Sequence, residues 1–432
     1  NILAQWRVAF SSPTRKLEGP LEGGDASAAA QEQAPPFFRI TRRALCDSHF
    51  WRFLLDFTRA SLFSSESVAT SQAATSLAFT DWAIDDLLRI MEVDYPELGA
   101  RAGLTRQGSM KVVYDESEWG AIVKAAGGTP GEEHTRLLEF VDGREQGVLL
   151  SPSEALRIAP ELACDTNVGR ICGVKFTPGT ASAHCEWFTQ GLAEICRERL
   201  GVAFMFNTKV VDVIAEGGSV ESLVLRQEGR TFRIPVGPRV GVVFAAGSWT
   251  PRLLSSLNLY VPMYPLKGYT LLIDRPAEVR ALPSHRIVAS EFVYATRFHD
   301  QVRVASMGHF DGWNLEADAD TVSFLKREWM DMYPEMRAEA DRIRVVVGLR
   351  PFVADGNVLA GRVSAYHNLF VVGGPGFNGW KTASGAAEIV ASAVETTLHG
   401  ADAKAESAKF PFDVSLFSPA GRVKSRIPIS WI

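Results

Sequence analysis

The sequence predicts a mixed fold that combines an α/β unit with an α+β unit. Two short apolar runs, residues 240–246 and 369–372, each lead into a glycine-containing turn and then into a stretch with helical periodicity. Apolar runs bounded in this way and followed by helices are typical of buried parallel strands. Residues 294–298 and 302–304 are instead separated by a short turn, which favours antiparallel pairing in a second, mixed sheet.

Length and composition place the chain among ordinary globular proteins. Its 432 residues are 46% hydrophobic and 22% charged, which is enough for two or more folding units with a large core. The formal net charge of −5, without a basic stripe interleaved with aromatic residues, argues against a nucleic-acid partner. The sequence contains no apolar run long enough to predict a transmembrane segment.

The cysteines indicate the redox environment. There are five of them, an odd number without Cys-x-x-Cys spacing: Cys46, Cys164, Cys172, Cys185 and Cys196. This pattern predicts free, mostly packed thiols in a reducing compartment, the cytoplasm or a mitochondrion, rather than a disulfide framework or a zinc site. No other constellation of residues predicts a metal site.

The most informative stretch lies near the end of the chain. Residues 369–372 lead into a glycine-rich loop, Gly373-Gly374-Pro375-Gly376-Phe377-Asn378-Gly379, and Thr382 is the predicted N-cap of the helix that follows. The unpaired N–H groups and the positive dipole end of such a helix favour an anionic ligand. A tight strand-to-helix connection without a ligand is the alternative interpretation of this loop.

A second strand, turn and helix unit is predicted in the middle of the chain. It is preceded by a helix over residues 185–200 and by a small antiparallel meander. The apolar run 240–247 then predicts a strand buried on both faces. After the turn at Gly247, Thr250 is the predicted helix cap and Pro251 the first helical residue. The meander strands are predicted at residues 202–206, 209–214, 220–225 and 231–234.

These elements together resemble a known family. The strand ending in Gly348-Leu349-Arg350-Pro351, the turn Asp355-Gly356-Asn357 and the loop Gly373 to Gly379 resemble the C-terminal signature of flavin-dependent amino-acid oxidoreductases. The element Ala245-Ala246-Gly247-Ser248-Trp249-Thr250 resembles the family's second flavin-contacting turn, and residues 264–271 resemble its strand along the substrate cavity. Within the D-amino-acid oxidase and glycine oxidase superfamily, the sequence is most similar to the D-amino-acid dehydrogenase group.

The resemblance implies the domain organisation. It implies a discontinuous Rossmann-like domain that binds FAD and a substrate domain built on a mixed antiparallel sheet. The FAD-binding domain is expected to comprise residues 1–60, 174–255 and 343–400. Residues 61–173 and 256–342 are expected to form the substrate domain, and 401–432 a C-terminal tail.

The resemblance also implies the residues of the site. Arg350 and Tyr269 are the implied catalytic residues. Arg350 would bind the substrate carboxylate through its planar guanidinium, and the alternative is a structural arginine paired with a nearby carboxylate. Tyr269 and Lys267 would form part of the cavity wall, whereas His309 is either a catalytic substitution or a satisfied polar residue. The residues implied to contact FAD are Ser27, Gln33, Val210, Ala246, Gly247, Trp249, Gly374, Gly376, Phe377, Asn378, Gly379, Trp380 and Lys381.

The first segment departs from the family pattern. The sequence opens at Asn1 within what resembles the family's first helix, without the preceding strand and its Gly-x-Gly-x-x-Gly turn. Ser11 and Ser12 stand where an acidic residue for the adenosine ribose is expected, and Glu32 stands where glycine is expected. Two explanations are open: an incomplete or processed sequence, or a protein that kept the fold and lost its dinucleotide site.

The resemblance implies FAD-dependent oxidative deamination of a small D-amino acid, in which a hydride is transferred to the flavin. The alternative from a different functional class is a catalytically degenerate relative that serves as a structural or accessory subunit of a larger assembly. A third possibility is a related flavoenzyme that acts on sarcosine, glycine or proline-like amines. The sequence does not indicate the electron acceptor, the side-chain preference or the oligomeric state.

Overall fold

The computed structural model describes residues 38–62, 66–129, 138–142, 145–164, 167–274, 285–299 and 301–426. The α-helices are α1 Arg42–Leu45, α2 Ser48–Leu62, α3 Glu66–Arg89, α4 Pro96–Arg101, α5 Glu116–Ala125, α6 Pro152–Ile158, α7 Cys185–Glu198, α8 Thr250–Ser256, α9 Ala319–Met332, α10 Gly379–Val394 and α11 Ala403–Ser407. The 3-10 helices are Pro160–Leu162, Gly247–Trp249, Pro334–Arg342, Gly376–Asn378 and Val414–Phe417, and the π-helical turns are Ile90–Asp94 and Glu395–His399. The strands are β1 Phe38–Ile40, β2 Ser109–Val113, β3 Leu138–Asp142, β4 Glu145–Leu150, β5 Gly173–Thr177, β6 Thr208–Glu216, β7 Ser219–Gln227, β8 Arg230–Pro235, β9 Val242–Phe244, β10 Leu259–Tyr260, β11 Met263–Asp274, β12 Ile287–Ala289, β13 Tyr294–Phe298, β14 Gln301–Phe310, β15 Arg344–Val353, β16 Leu359–Arg362, β17 Leu369–Gly373 and β18 Lys424–Ser425.

The fold is organised around one large mixed sheet. Within the described part of the chain, ten strands take part, in the order β15, β11, β14, β13, β12, β2, β5, β4 and β3, with β1 added parallel to β14. Strands β12 and β2 are also parallel, whereas β11 pairs antiparallel with both β14 and β15. The mixed sheet that the sequence predicts is therefore confirmed.

The two faces of this sheet differ in what covers them. Leu271 of β11, Val304 of β14 and Val347 of β15 point toward the main hydrophobic core, which is closed by α9, and this side is called the core face below. Side chains alternate between the faces of a strand. Gly268 and Arg350 therefore lie on the opposite side, called the second face.

Smaller sheets pack beside the large one. Strands β16, β17 and β9 form one of them, in which β17 and β9 are parallel and run toward α10 and α8, respectively. Strands β6, β7 and β8 form the predicted antiparallel meander, and β10 pairs with β18. Helix α10 packs against α3 at Gly385, where a Cβ would lie 2.7 Å from the Cβ of Ala83. Glycine is needed there because the two helices approach so closely.

Two predictions about the smaller sheets are wrong. The strand predicted over 240–247 spans only Val242–Phe244, and Val243 is 41% exposed because β9 is the last strand of its sheet within the described residues. Residues 202–206, which were predicted as the first strand of the meander, lie within the described part of the chain and form no strand. Phe204 and Phe206 are exposed there and stack on each other, with 5.5 Å between ring centroids.

The domain boundaries stay a prediction, but sheet membership differs from them at three strands. Strands β1, β5 and β15 fall in segments assigned to the FAD-binding domain, whereas all three belong to the large sheet. Local sequence patterns predict strands but not their partners, and partners here are distant in sequence. The assignment of these strands therefore required the three-dimensional pairing.

Three composition-based expectations can be compared with the structure. All five cysteines are free thiols. Cys46 and Cys185 are exposed, whereas Cys164, Cys172 and Cys196 are partly buried, so the thiols are less packed than predicted. In the described residues, no group of histidine, cysteine, aspartate and glutamate side chains is arranged to hold a metal ion. Across that same part of the chain, no helix has the length and apolar character needed to cross a membrane.

Candidate active site

Arg350 lies on the second face of the large sheet, where β15 pairs with β11. Its backbone is opposite Leu266, two residues before Gly268. The half-buried guanidinium extends along β11 over Gly268, where a Cβ would lie only 2.4 Å from the Cζ of Arg350. The same Cζ lies 5.3 Å from the centroid of the Phe377 ring. Burial, followed by the charge of Arg303, lowers the pKa of Arg350 to about 10, so this side chain remains a cation at neutral pH.

Two turns meet β15 beside Arg350. In the first turn, Gly247–Trp249, the hydroxyl of Ser248 donates a hydrogen bond to the carbonyl of Leu349 at 3.0 Å. In the second, which precedes α10, Pro375 forms a β-bridge with Phe352. The two turns that resemble flavin-contacting elements therefore lie together, next to the predicted carboxylate-binding residue.

Backbone donors at these turns fit the flavin end of FAD. Helix α10 begins at Gly379, and its N-cap Asn378 makes no side-chain hydrogen bond to the first N–H groups. Gly247 has a φ of 52°, and a Cβ on it would meet no atom within 4 Å. The buried hydroxyl of Thr250 has no hydrogen-bond partner in the described residues. Open N–H groups at a helix start are suited to the electron-rich edge of a flavin ring.

Both predicted helix caps are wrong. Helix α10 begins at Gly379, and Thr382 lies inside it, where its hydroxyl donates to the carbonyl of Asn378 at 2.9 Å. Helix α8 begins at Thr250, so Trp249 is the cap and Pro251 the second helical residue. Because α10 starts earlier than predicted, its first N–H groups lie within the glycine-rich loop itself.

Tyr269 and Lys267 do not lie beside Arg350. Both side chains are on the core face, because these residues flank Gly268 along β11. Tyr269 is fully buried in the main core, and burial raises its pKa to about 12. Lys267 is also buried and forms an ion pair with Asp311 at 2.6 Å. The geometry thus separates the two residues predicted as catalytic, and it favours a packing role for Tyr269.

His309 is a satisfied polar residue of the core. Its Nδ1 lies 3.2 Å from the hydroxyl of Tyr269, and its Nε2 lies 3.5 Å from that of Thr321. The Thr321 hydroxyl donates to Asp318 at 2.6 Å and therefore accepts from His309, which places the proton of the neutral ring on Nε2. Burial lowers the pKa of His309 to about 4, although Asp318 opposes this shift.

His309 is expected to make folding less stable as the pH falls from neutrality toward 4. The unfolded chain takes up a proton near pH ~6.5, whereas the folded protein binds it only near about 4. The unfolded state therefore binds more protons between these two pH values, which lowers the free energy of unfolding by on the order of 2–3 kcal/mol. Urea unfolding at several pH values measures this loss. The variant His309→Gln should show a flatter dependence, and an unchanged slope would contradict the assignment to His309.

The other predicted contact residues divide between the site and its surroundings. Val210 lies in the meander and packs against the core of the smaller sheets, Trp380 packs edge-on against Phe188 at 4.9 Å, and Lys381 is exposed. Ser27 and Gln33 fall outside the described residues. The residues at or next to the two turns are Ala246, Gly247, Trp249, Gly374, Gly376, Phe377, Asn378 and Gly379.

Sequence reasoning missed two residues that shape the surroundings of Arg350. A glycine inside a strand pattern often marks the close approach of another group, so Gly268 carried a usable signal. Ser248 carried none, because its hydrogen bond to Leu349 depends on contact between a turn and a strand about 100 residues apart. Both residues act through the local geometry of β15.

Comparison with known proteins gives matches over most of the chain. The family profile "FAD dependent oxidoreductase" matches residues 23–393. A D-amino acid dehydrogenase from Chromohalobacter salexigens is 30% identical over 299 residues, which cover 68% of this chain and 65% of that protein. Another, from a Methylobacterium species, is 32% identical over 248 residues, covering 57% of this chain and 56% of that protein. The chain thus matches less than two-thirds of the length of either relative.

The same comparison extends to solved structures. Glycine oxidase from Geobacillus kaustophilus superimposes with a TM-score of 0.58 and 22% sequence identity, over 82% of this chain and 83% of that one. At this level of identity the likeness concerns the fold alone. It agrees with the mixed fold described above.

Proposed function

Since the chain belongs to the FAD dependent oxidoreductase family, we propose that it catalyses FAD-dependent oxidative deamination of a small D-amino acid. The observation that carries this proposal is Arg350, a half-buried cation on the second face of the large sheet, adjacent to both turns. Its planar guanidinium can bind both oxygens of a carboxylate. The D configuration is supported by the two similar proteins named D-amino acid dehydrogenase.

In the proposed reaction, Arg350 fixes the substrate through its carboxylate and thereby orients the α-carbon. When bound, FAD supplies the acceptor for the hydride that leaves this carbon. The amino group loses a proton to solvent as the carbon–nitrogen double bond forms, and water then hydrolyses the imino acid to a keto acid and ammonia. With FAD bound, the N–H groups at the start of α10 would be available to stabilise negative charge on the flavin.

Aromatic side chains shield the ion pair between Arg350 and the substrate. The rings of Phe352 and Phe377 lie 5.9 Å apart beside the guanidinium. Apolar neighbours lower the local dielectric constant, and they strengthen the attraction between a cation and a carboxylate. They also restrict the positions that the guanidinium can take. Arg350 is thus held ready to bind its ligand.

Gly268→Ala is expected to reduce kcat/KM by about 100-fold, because a displacement of roughly 1 Å in a positioning group has effects of this size. The new Cβ would lie 2.4 Å from the Cζ of Arg350, so the guanidinium must move. The matched control is Gly348→Ala, since Gly348 is the cross-strand partner of Gly268 and a Cβ there would meet no atom within 4 Å. Steady-state kinetics of both variants test this, and equal losses would contradict it.

The experiment that tests the proposed function is the visible absorption spectrum of the purified protein, recorded before and after denaturation. Flavin bands that move to the supernatant on denaturation indicate bound, noncovalent FAD. A D-amino-acid screen with an artificial electron acceptor then follows, with Arg350→Ala as the control. A protein that stays colourless after incubation with FAD would overturn the proposal.

A second candidate function, that of an accessory subunit without turnover, is favoured by a different observation. Leu200, Val202 and Met205 are exposed at 61%, 43% and 48%, alongside the stacked rings of Phe204 and Phe206. A contiguous exposed apolar segment of this kind marks a contact surface. Size-exclusion chromatography with light scattering, combined with the flavin spectrum, distinguishes the two. A colourless protein found in a larger complex would support the accessory role.

We also propose a reducing compartment for this protein, on the basis of its five free cysteines. In such a compartment all five thiols should react with an alkylating reagent added during cell lysis. Mass spectrometry of the alkylated protein counts them. A disulfide formed before lysis would contradict the proposal.

A further inference from the structure

A second arginine, Arg303, lies on the same face of the sheet as Arg350. On β14, Val302 and Val304 are fully buried in the core, so Arg303 between them projects from the second face. In the sheet register it is opposite Leu272 of β11. Arg350 approaches from the other direction, because its guanidinium has extended along β11 from Leu266 to Gly268.

The surface between the two guanidinium groups is lined by the uncharged side chains of Thr270 and its two cross-strand neighbours, Ala305 and Val346. Thr270 lies between Gly268 and Leu272 on β11, and its neighbour in the register on β14 is Ala305. Gly268 and Leu272 are four residues apart, which is about 13 Å along a strand, and the length of an arginine side chain can span part of this gap. A small molecule between the two groups would therefore contact both cations.

Arg303 differs from the next arginine on this face. Arg344 is opposite the same Leu272 on the other side of β11, and it forms an ion pair with Asp274 at 3.1 Å. No carboxylate of the described residues lies within ion-pair distance of Arg303, and its charge is felt by Arg350. Like charges on one face of a sheet repel each other, and an anion that contacts both relieves this repulsion.

We propose that Arg303 determines substrate specificity by binding a second carboxylate, so that the site takes amino acids with an anionic side chain, such as D-aspartate or D-glutamate. This inference rests on the proposed function. Arg350 holds the α-carboxylate, and Arg303 holds the side-chain carboxylate. A neutral side chain leaves the second guanidinium unpaired and gains nothing from it. Charge-assisted hydrogen bonds of this type give a preference of roughly 10- to 100-fold.

The test compares each acidic substrate with its amide, which has nearly the same shape and no charge. The wild-type protein loaded with FAD is expected to show a kcat/KM for D-aspartate or D-glutamate about 10- to 100-fold above that for D-asparagine or D-glutamine. In Arg303→Gln this preference should disappear, mainly through a higher KM for the acidic substrate. Arg303→Lys should retain part of it.

The matched control is Arg344→Gln, which removes an equal charge opposite the same residue of β11. It should leave the preference for acidic substrates in place. If Arg303→Gln and Arg344→Gln reduce the preference for acidic substrates equally, the preference comes from the overall electrostatic field rather than from a contact with Arg303. That result would overturn the inference. A wild-type protein that prefers the amides would also overturn the inference, but it would leave the proposed function intact.

A binding experiment separates failure of this inference from failure of the proposed function. Calorimetry with succinate and propionate measures the second carboxylate directly, without turnover. Succinate is expected to bind roughly 10- to 100-fold more tightly than propionate to the wild-type protein, but not to Arg303→Gln. If no amino acid is oxidised but succinate still binds more tightly, the proposed function is wrong, whereas binding of a dicarboxylate by Arg350 and Arg303 is supported. If the two ligands bind equally, the role of Arg303 is wrong.

Discussion

Replacing Arg350 with alanine is expected to reduce kcat/KM for a D-amino acid by roughly 30- to 5,000-fold. Truncating one partner of a buried, hydrogen-bonded charge pair costs about 2–5 kcal/mol, and each 1.4 kcal/mol is about a factor of ten. The loss should appear mainly in KM, because the guanidinium holds the carboxylate in the ground state as well as in the transition state. Steady-state kinetics with the FAD-loaded protein measures both parameters.

Arg350→Lys is the informative companion of this variant. Lysine keeps the charge but offers a single ammonium in place of the planar fork, so only part of the activity should return. A ligand-binding role for Arg350 predicts that both variants unfold in urea much as the wild type does. A structural arginine predicts the opposite result. In that case both variants would lose stability in urea, and propionate would bind to Arg350→Ala as it does to the wild type.

The sequence predicts the strand on which Arg350 lies, but it predicts less about the residues that surround its side chain. The strand that contains Arg350 and the strand before the glycine-rich loop have distinct local patterns, and the structure has a strand at both places, Arg344–Val353 and Leu369–Gly373. The face on which the side chain lies depends on the register between β15 and β11, whose residues are about 80 positions apart. The sequence shows that Lys267 and Tyr269 share one face and that Gly268 takes the other. It does not show which face contains Arg350.

The errors near the glycine-rich loop have a common physical origin. Thr382 is a good cap by residue type, but a helix continues in the N-terminal direction as long as tertiary contacts support it. Trp380, in the first turn of α10, packs against Phe188 of α7. That long-range contact is consistent with the start of the helix at Gly379, and no local pattern contains it. Likewise, the exposure of Val243 follows from its place at the edge of a sheet rather than from its apolar neighbours.

The buried ion pair on the core face is expected to have the largest effect on stability. Lys267 and Asp311 are 2% and 9% exposed, and they lie 2.6 Å apart. Asp311 also accepts hydrogen bonds from Thr41 at 2.6 Å and Asn314 at 2.7 Å, and Lys267 donates to the carbonyl of Glu316 at 2.9 Å. Burial opposes ionisation of Asp311, but these hydrogen bonds outweigh it and hold the pKa of this carboxyl below its usual range.

Lys267→Met should therefore lower the free energy of unfolding by about 3–5 kcal/mol, because it leaves the Asp311 carboxylate buried without its main partner. The double variant Lys267→Met/Asp311→Leu removes both charges and should recover much of this loss. Lys111→Met is the control, since Lys111 and its partner Glu118 are exposed at 45% and 42%. Breaking an exposed pair costs less than about 1 kcal/mol.

The pH dependence gives an independent check on this ion pair. The lowered pKa of Asp311 stabilises the folded protein at neutral pH, and this contribution is lost as the pH falls below about 4. Asp311→Asn should be less stable than the wild type at pH 7, with a difference that shrinks in acid. Urea unfolding across this range measures it. Two results would contradict a stabilising role for the Lys267–Asp311 ion pair. One is an equal loss in the free energy of unfolding for Lys267→Met and Lys111→Met. The other is a destabilisation by Asp311→Asn that does not change with pH.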